Sequence, residues 1–195
     1  MTHSLHRKGT KSKLKNDYPI LTMVAAGIND KKPESREKLL RIAEILKEND
    51  PDNILTEKAW KISPVIQAAF DDPKKVKDVL KRLKKEDLGI STVVSGLISE
   101  IRELIEEVGL KMHTVHLSLG NFGNKELLPD KKILEITTLC GHHCVSPQSV
   151  QYYVKQIKKG KISISKAAEK LAKPCVCGIF NTTRASEVLE ELTKR

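Results

Sequence analysis

The chain predicts a helix-rich α/β or α+β fold, with a small sheet of few strands followed by a helical, cysteine-bearing module. Three observations lead there. Amphipathic stretches with apolar residues three and four apart dominate the first hundred residues. Short apolar runs, Ile20 to Ala26 and Ile90 to Val94, interrupt them with strand character. All four cysteines fall in one later stretch, as Cys140-Gly-His-His-Cys144 and Cys175-Val-Cys177.

Taken in order, residues 1–16 read as a basic, flexible tail. Arg7, Lys8, Lys11, Lys13 and Lys15 precede the first acid, Asp17, and hold half of the net charge of +10. A basic segment with so little apolar content is expected to be solvated and to add little stability. Residues 17–128 read as the α/β or α+β domain. Ile20 to Ala26 is its first strand candidate, and Pro33 to Glu48 is a helix with Leu39, Ile42, Ala43 and Leu46 on its stripe. Asn49-Asp-Pro-Asp-Asn53 breaks the chain, and Thr56 to Phe70 is expected to be helical with an interruption at Pro64. Asp72 as N-cap and Pro73 at the first helical position open a basic helix carrying Val76, Val79, Leu80 and Leu83. Ser99 to Val108 is another amphipathic helix, closed by Gly109. Met112 to Leu119 then alternates with period two, which predicts a strand. With Ile90 to Val94 as a strand, residues 90–119 have the order of a parallel crossover.

Residues 129–195 read as a helical metal-binding module. Pro129 to Ile133 starts one helix, and Ser146-Pro147 opens a second that ends at Gly160. A short third helix is expected from an N-cap at Ser165 and stops at Pro174. Asn181 or Thr182 caps the last, which runs to Leu192.

Both cysteine pairs thus lie just ahead of a helix N-terminus, where free N–H groups and the helix dipole favour thiolates. Hydrophobic content of 39% and charged content of 31% are those of a globular protein, and no apolar stretch reaches the ~20 residues of a membrane span. With no secretory signal at the first residues, the chain is expected to be cytoplasmic, where clustered thiols are ligands or redox groups rather than disulfides. Cys140, Cys144, Cys175 and Cys177 are therefore the candidate metal ligands. A count of four with none left over fits an iron–sulfur cluster, [4Fe–4S] ahead of [2Fe–2S]. The spacings C-x3-C and C-x-C match no standard zinc ribbon, although the adjacent His142 and His143 keep zinc open as the alternative.

The expected role is electron transfer, redox sensing or cluster-based catalysis. Four cysteine ligands saturate a cubane, which favours transfer or sensing. Three would leave an open iron with His142 or His143 as candidate catalytic proton carriers. Asn181, Thr182, Thr183 and Arg184 could present donors to a small anionic ligand beside the metal, and Gly141 and Gly178 would let the backbone pass near a bulky centre. A redox protein or a small anionic ligand is the expected partner. The rival reading is a zinc-stabilised, basic nucleic-acid-binding regulator, carried by the net charge, the tail and the helix-turn-helix-like run from Pro147 to Lys173. No glycine-rich phosphate loop and no 20–50-residue repeat is present.

Overall fold

The computed structural model describes residues 7–118 and 120–194. Their fold is α+β. A short α1 (Lys11–Leu14) precedes β1 (Tyr18–Met23), α2 (Glu34–Glu48), β2 (Asn53–Ile54), α3 (Glu57–Trp60), β3 (Val65–Phe70), α4 (Pro73–Glu86), β4 (Ser91–Val94) and α5 (Ile98–Glu107). Beyond a 3₁₀ turn at Lys125–Leu127 come α6 (Lys131–Thr137), α7 (Pro147–Lys158), α8 (Ile164–Ala172) and α9 (Thr182–Thr193).

The four strands form one antiparallel sheet in the order β2-β3-β1-β4. Tyr18 pairs with Phe70, Ile20 with Val94, and Asn53 with Ala69. With α2 and α4 as the crossovers, this is the β-α-β-β-α-β order of the split β-α-β arrangement. Period-two alternation puts Tyr18, Ile20, Ile66, Ala68 and Phe70 on one face. There they meet Leu39, Ile42 and Leu46 of α2, Val76 and Val79 of α4, and Ile101 and Leu104 of α5 in one buried cluster. A second cluster joins α6 to α9 through Ile136, Leu139, Val150, Ala168, Leu171, Phe180 and Val188, and it includes Cys140, Cys175 and Cys177.

Local chemistry explains most boundaries. Asp72 accepts from the Lys74 N–H, Asp130 from Lys132, Ser146 from Ser149 and Asn181 from Arg184, each side chain taking up a helix-start donor. Ser163, not Ser165, caps α8 by accepting from Lys166, so that helix begins earlier than the sequence pattern suggests.

Two predicted elements are different. Val65–Phe70 is a central strand rather than the end of a helix, and only Glu57–Trp60 of that stretch is helical. The helix preference of Ala68 and Ala69 is overridden because these small side chains fit the sheet between two neighbours. Residues 111–118 form no strand, and Leu119 lies outside the described residues. Alternation marks two faces, but a ladder also requires a partner edge, and a cavity of about 580 Å³ lies between β4 and this segment. The parallel crossover is therefore absent from the described residues.

The described part of the tail, residues 7–16, is anchored at Arg7, Lys8 and Lys13, while Gly9 to Ser12, Lys15 and Asn16 are exposed. The Arg7 side chain is 5% exposed, lies 3.2 Å from the Asp17 carboxylate and donates to the Ile179 carbonyl. The Lys8 N–H donates to Thr138 Oγ1 at 3.0 Å. The Lys13 ammonium reaches Glu191 at 2.6 Å and Glu135 at 3.4 Å. Docking rests on charge and hydrogen bonds, which is why low apolar content misjudged it.

Candidate metal centre

The two cysteine pairs sit on loops that α6 to α9 hold together. Cys140 follows the end of α6 and is fully buried. The turn after it closes with the His143 N–H on the Cys140 carbonyl at 3.1 Å, and His143 takes a left-handed conformation, φ 55°. Cys144 emerges exposed, and Val145 returns to the core before Ser146 caps α7. Cys175 to Gly178 is a second tight turn, with the Gly178 N–H on the Cys175 carbonyl at 3.1 Å. It buries Cys175 and Cys177 and turns Val176 outward.

The thiols converge. Cys175 Sγ lies 3.5 Å from Cys177 Sγ, and both share one buried cluster with Cys140. Cys144 is near enough to Cys140 for each thiol to shift the other's ionisation. Cys177 Sγ lies 3.7 Å from His142 Nδ1, and the Cys144 thiol faces the His142 carbonyl at 3.9 Å. All four cysteines are free of disulfides. The sulfur hydrogen bonds link Cys175 to Cys177 and both cysteine loops to His142. As it stands, among the described residues, no group of three or more His, Cys, Asp and Glu side chains is arranged to hold a metal ion.

Electrostatics divides the four. The Cys175 thiol donates to its neighbours, and this, with backbone N–H groups of Cys144 and His142, holds Cys140 down at about 5. The Cys175 donor, the Ile179 N–H and His142 likewise bring Cys177 down to about 6. Cys175 is pushed far up, because its proton is shared with Cys140 and Cys177 and burial disfavours its charge. Cys144 is raised by desolvation and by the nearby Cys140. Cys140 and Cys177 are thus the two thiols most readily ionised, as metal-ligating thiols have to be.

No family model, curated protein or solved structure matches the chain.

Other residues singled out by the sequence serve different ends. Thr182 and Thr183 donate their N–H groups and hydroxyls to the Asp52 carboxylate, with the Thr183 N–H at 3.0 Å, so the N-terminus of α9 already holds an internal anion. Asn181 bonds the Asn16 carbonyl and Asp17 at 3.1 and 3.2 Å, and Arg184 pairs with Asp17. These four residues bind the module to the start of β1 and β2 instead of facing the thiols. Gly178, φ 75°, is pressed on β2, where an added Cβ would lie 2.0 Å from the Ile54 carbonyl carbon. It serves close docking of backbone on backbone. Gly141 lies in the turn that follows Cys140, and His113 and His116 are exposed on the 111–118 segment.

Sequence reasoning missed Arg7, Asp17 and Asp52. Each acts through a partner more than a hundred residues away, and nothing local marks it.

Proposed function

We propose that Cys140, Cys144, Cys175 and Cys177 ligate an iron–sulfur cluster that works in one-electron transfer or redox sensing. The observation that carries this reading is the convergence of the two cysteine loops, with Cys140, Cys175 and Cys177 in one buried cluster and Cys144 beside Cys140. Three of the four are buried, and the backbone N–H groups of Cys144, His142 and Ile179 favour the ionised forms of Cys140 and Cys177. Such donors stabilise an anionic centre and set its potential. With four thiolates and no vacant ligand position, transfer or sensing is favoured over substrate activation. His142, 3.7 Å from Cys177 Sγ, would tune the centre rather than ligate it.

The charge distribution weakens the nucleic-acid reading. The basic helix α4 is largely neutralised from within: Arg82 pairs with Glu48, Lys77 with Glu107, and Lys75 with Asp50 at 2.9 Å. Two observations favour a zinc-stabilised binding module as the second reading. The Cys175–Cys177 separation of 3.5 Å is near the S···S edge of about 3.8 Å that follows from Zn–S bonds of about 2.3 Å. The Lys158-Lys159-Gly160-Lys161 turn between α7 and α8 is also exposed.

Anaerobic purification with metal and acid-labile sulfide analysis tests the proposal. A brown protein with iron and sulfide in near-equal amounts supports it. A colourless protein with one zinc per chain moves the reading to the second, and a protein loading neither ion overturns both.

A further inference from the structure

We propose that the hairpin of α7 and α8 is the docking face for an acidic one-electron carrier protein, which exchanges electrons with the thiol centre at the hairpin's base. The inference rests on the reading of that centre as an electron-transfer site and adds the surface and the class of partner.

The first observation is where the unmatched charge lies. Lys155, Lys158 and Lys159 stand on or at the end of α7, Lys161 in the turn, and Lys166, Lys170 and Lys173 on or at the end of α8. Between Pro147 and Pro174 the one acid is Glu169, so this hairpin carries six of the ten net positive charges. All seven lysines are exposed, and among the described residues only Lys166 meets a carboxylate, that of Glu169 at 2.6 Å.

The second is periodicity. On α7 the exposed Gln148, Gln151, Tyr152, Lys155 and Lys159 recur three and four residues apart, opposite the buried Val150 and the half-buried Val154 and Ile157. On α8 Lys166, Lys170 and Lys173 do the same, opposite the buried Ala167, Ala168 and Leu171. Each helix buries one side in the module and turns a lysine stripe to solvent.

The third is position. Cys144 lies two residues before Ser146, the N-cap of α7, and Cys175 two residues after Lys173, the C-cap of α8. The hairpin therefore stands on the two cysteine loops, and its lysines lead outward along α7 for about 18 Å at 1.5 Å per residue. At the base Cys144 is exposed, and Val176, between the buried Cys175 and Cys177, is 72% exposed. An apolar contact at the centre with a field of charge beside it is the build of a small transient interface, where complementary charge sets the encounter rate. A carrier whose own redox group is surrounded by carboxylates is steered to this face. Nucleic acid fits it less well, because the hairpin holds no arginine for bidentate contacts to guanine or phosphate. One electron passes between the carrier's centre and the cluster, oxidising one and reducing the other, with no bond made or broken.

A plant-type [2Fe–2S] ferredoxin, an acidic one-electron carrier, is the probe. It is titrated by calorimetry against the anaerobically purified full chain at low and at near-physiological salt, and electron exchange is followed by stopped flow. Saturable binding that weakens as salt rises is expected. The pair Lys158→Glu with Lys159→Glu, and the pair Lys170→Glu with Lys173→Glu, should each weaken binding and slow exchange about tenfold, chiefly through the association rate. Lys74→Glu with Lys85→Glu makes the same change in net charge at exposed positions of α4 and should alter neither by more than about twofold. Failure of the thiol reading is visible separately: a chain without iron and sulfide exchanges no electrons, while the calorimetry still reads the docking face. Absence of ferredoxin binding at low salt, or equal weakening by the α4 pair, overturns the proposal. Binding of duplex DNA in preference to the ferredoxin, through the same lysines, overturns it in favour of a nucleic-acid partner.

Discussion

Arg184 of α9 and Asp17 at the start of β1 form an ion pair with side-chain exposures of 1% and 0%, tying the cysteine module to the sheet. The Asp17 carboxylate also faces Arg7, and Asn181 donates to it at 3.2 Å. Removing it leaves Arg7 and Arg184 buried without the carboxylate that both pair with. Asp17→Ala should therefore cost about 3–5 kcal/mol of folding stability, the range for orphaning a buried charge. Urea unfolding measures it, and a loss under 1 kcal/mol would mean that water reaches this pair.

The docked arm gives a second test. Deleting residues 1–14 removes Arg7 from Asp17, and Lys13 from Glu135 and Glu191. The truncated chain should melt several degrees lower, since 1 kcal/mol moves Tm by about 2–4 °C at this size. An unchanged melting curve would show the arm to be dispensable.

Gly178→Ala tests the close approach to β2. The new methyl would lie 2.0 Å from backbone at Ile54 and 2.2 Å from that at Leu55, and φ 75° is itself unfavourable for alanine. Backbone cannot yield as a flexible side chain can, so destabilisation of about 3 kcal/mol or more is expected by denaturant titration.

Acid sensitivity follows from Glu191. Lys13 and Lys132 hydrogen-bond its carboxylate and hold it down to about 2, against an ordinary 4.5. A depressed carboxyl contributes stability that is fully present above the unfolded value and is lost as pH falls through the folded one. The contribution should thus disappear between about pH 4.5 and 2, and Glu191→Gln should flatten that part of the stability–pH curve. A parallel curve for the variant would exclude the linkage.

At the thiols, replacing Cys140, Cys144, Cys175 or Cys177 singly by Ser should abolish or destabilise metal retention, because a hydroxyl is a poor ligand for a soft site. His142→Ala should keep the metal but shift its reduction potential. Loss of metal from His142→Ala as complete as from a cysteine variant would make that imidazole a ligand.

What was legible in the sequence was chemistry that acts over a few residues. Asp72 before Pro73, Ser146 before Pro147 and Asn181 each announce a helix start, because the hydroxyl, amide or carboxylate meets an N–H two or three positions on. The choice between Ser163 and Ser165 was not legible, since both offer the same hydroxyl and only the packing of Ala167, Ala168 and Leu171 separates them. Val65–Phe70 was misread because Ala68 and Ala69 favour a helix locally, while the two flanking strands that make it a sheet centre come from elsewhere in the chain. At the candidate centre, the position of the cysteines before helix starts was visible. The order in which their sulfurs meet, with Cys175 in the middle, depends on how α6 to α9 pack, and no spacing encodes that.

The contact of Lys8 and Asp17 with Arg184 has a temporal side. Residues 7–17 leave the ribosome more than 160 residues ahead of Arg184, which pairs with Asp17 and donates to the Lys8 carbonyl. At the usual pace of synthesis, about 5–20 residues per second, the gap is roughly 8–30 s. Through that interval the helix face of the sheet has its strands and helices in hand, but the aspartate at the head of β1 still waits for α9. Closure over so long a separation is slow, so the arm belongs to the last step of maturation. The two cysteine loops emerge in the same late stretch, so a nascent chain halted before residue 140 holds neither the thiol site nor the lock on the arm.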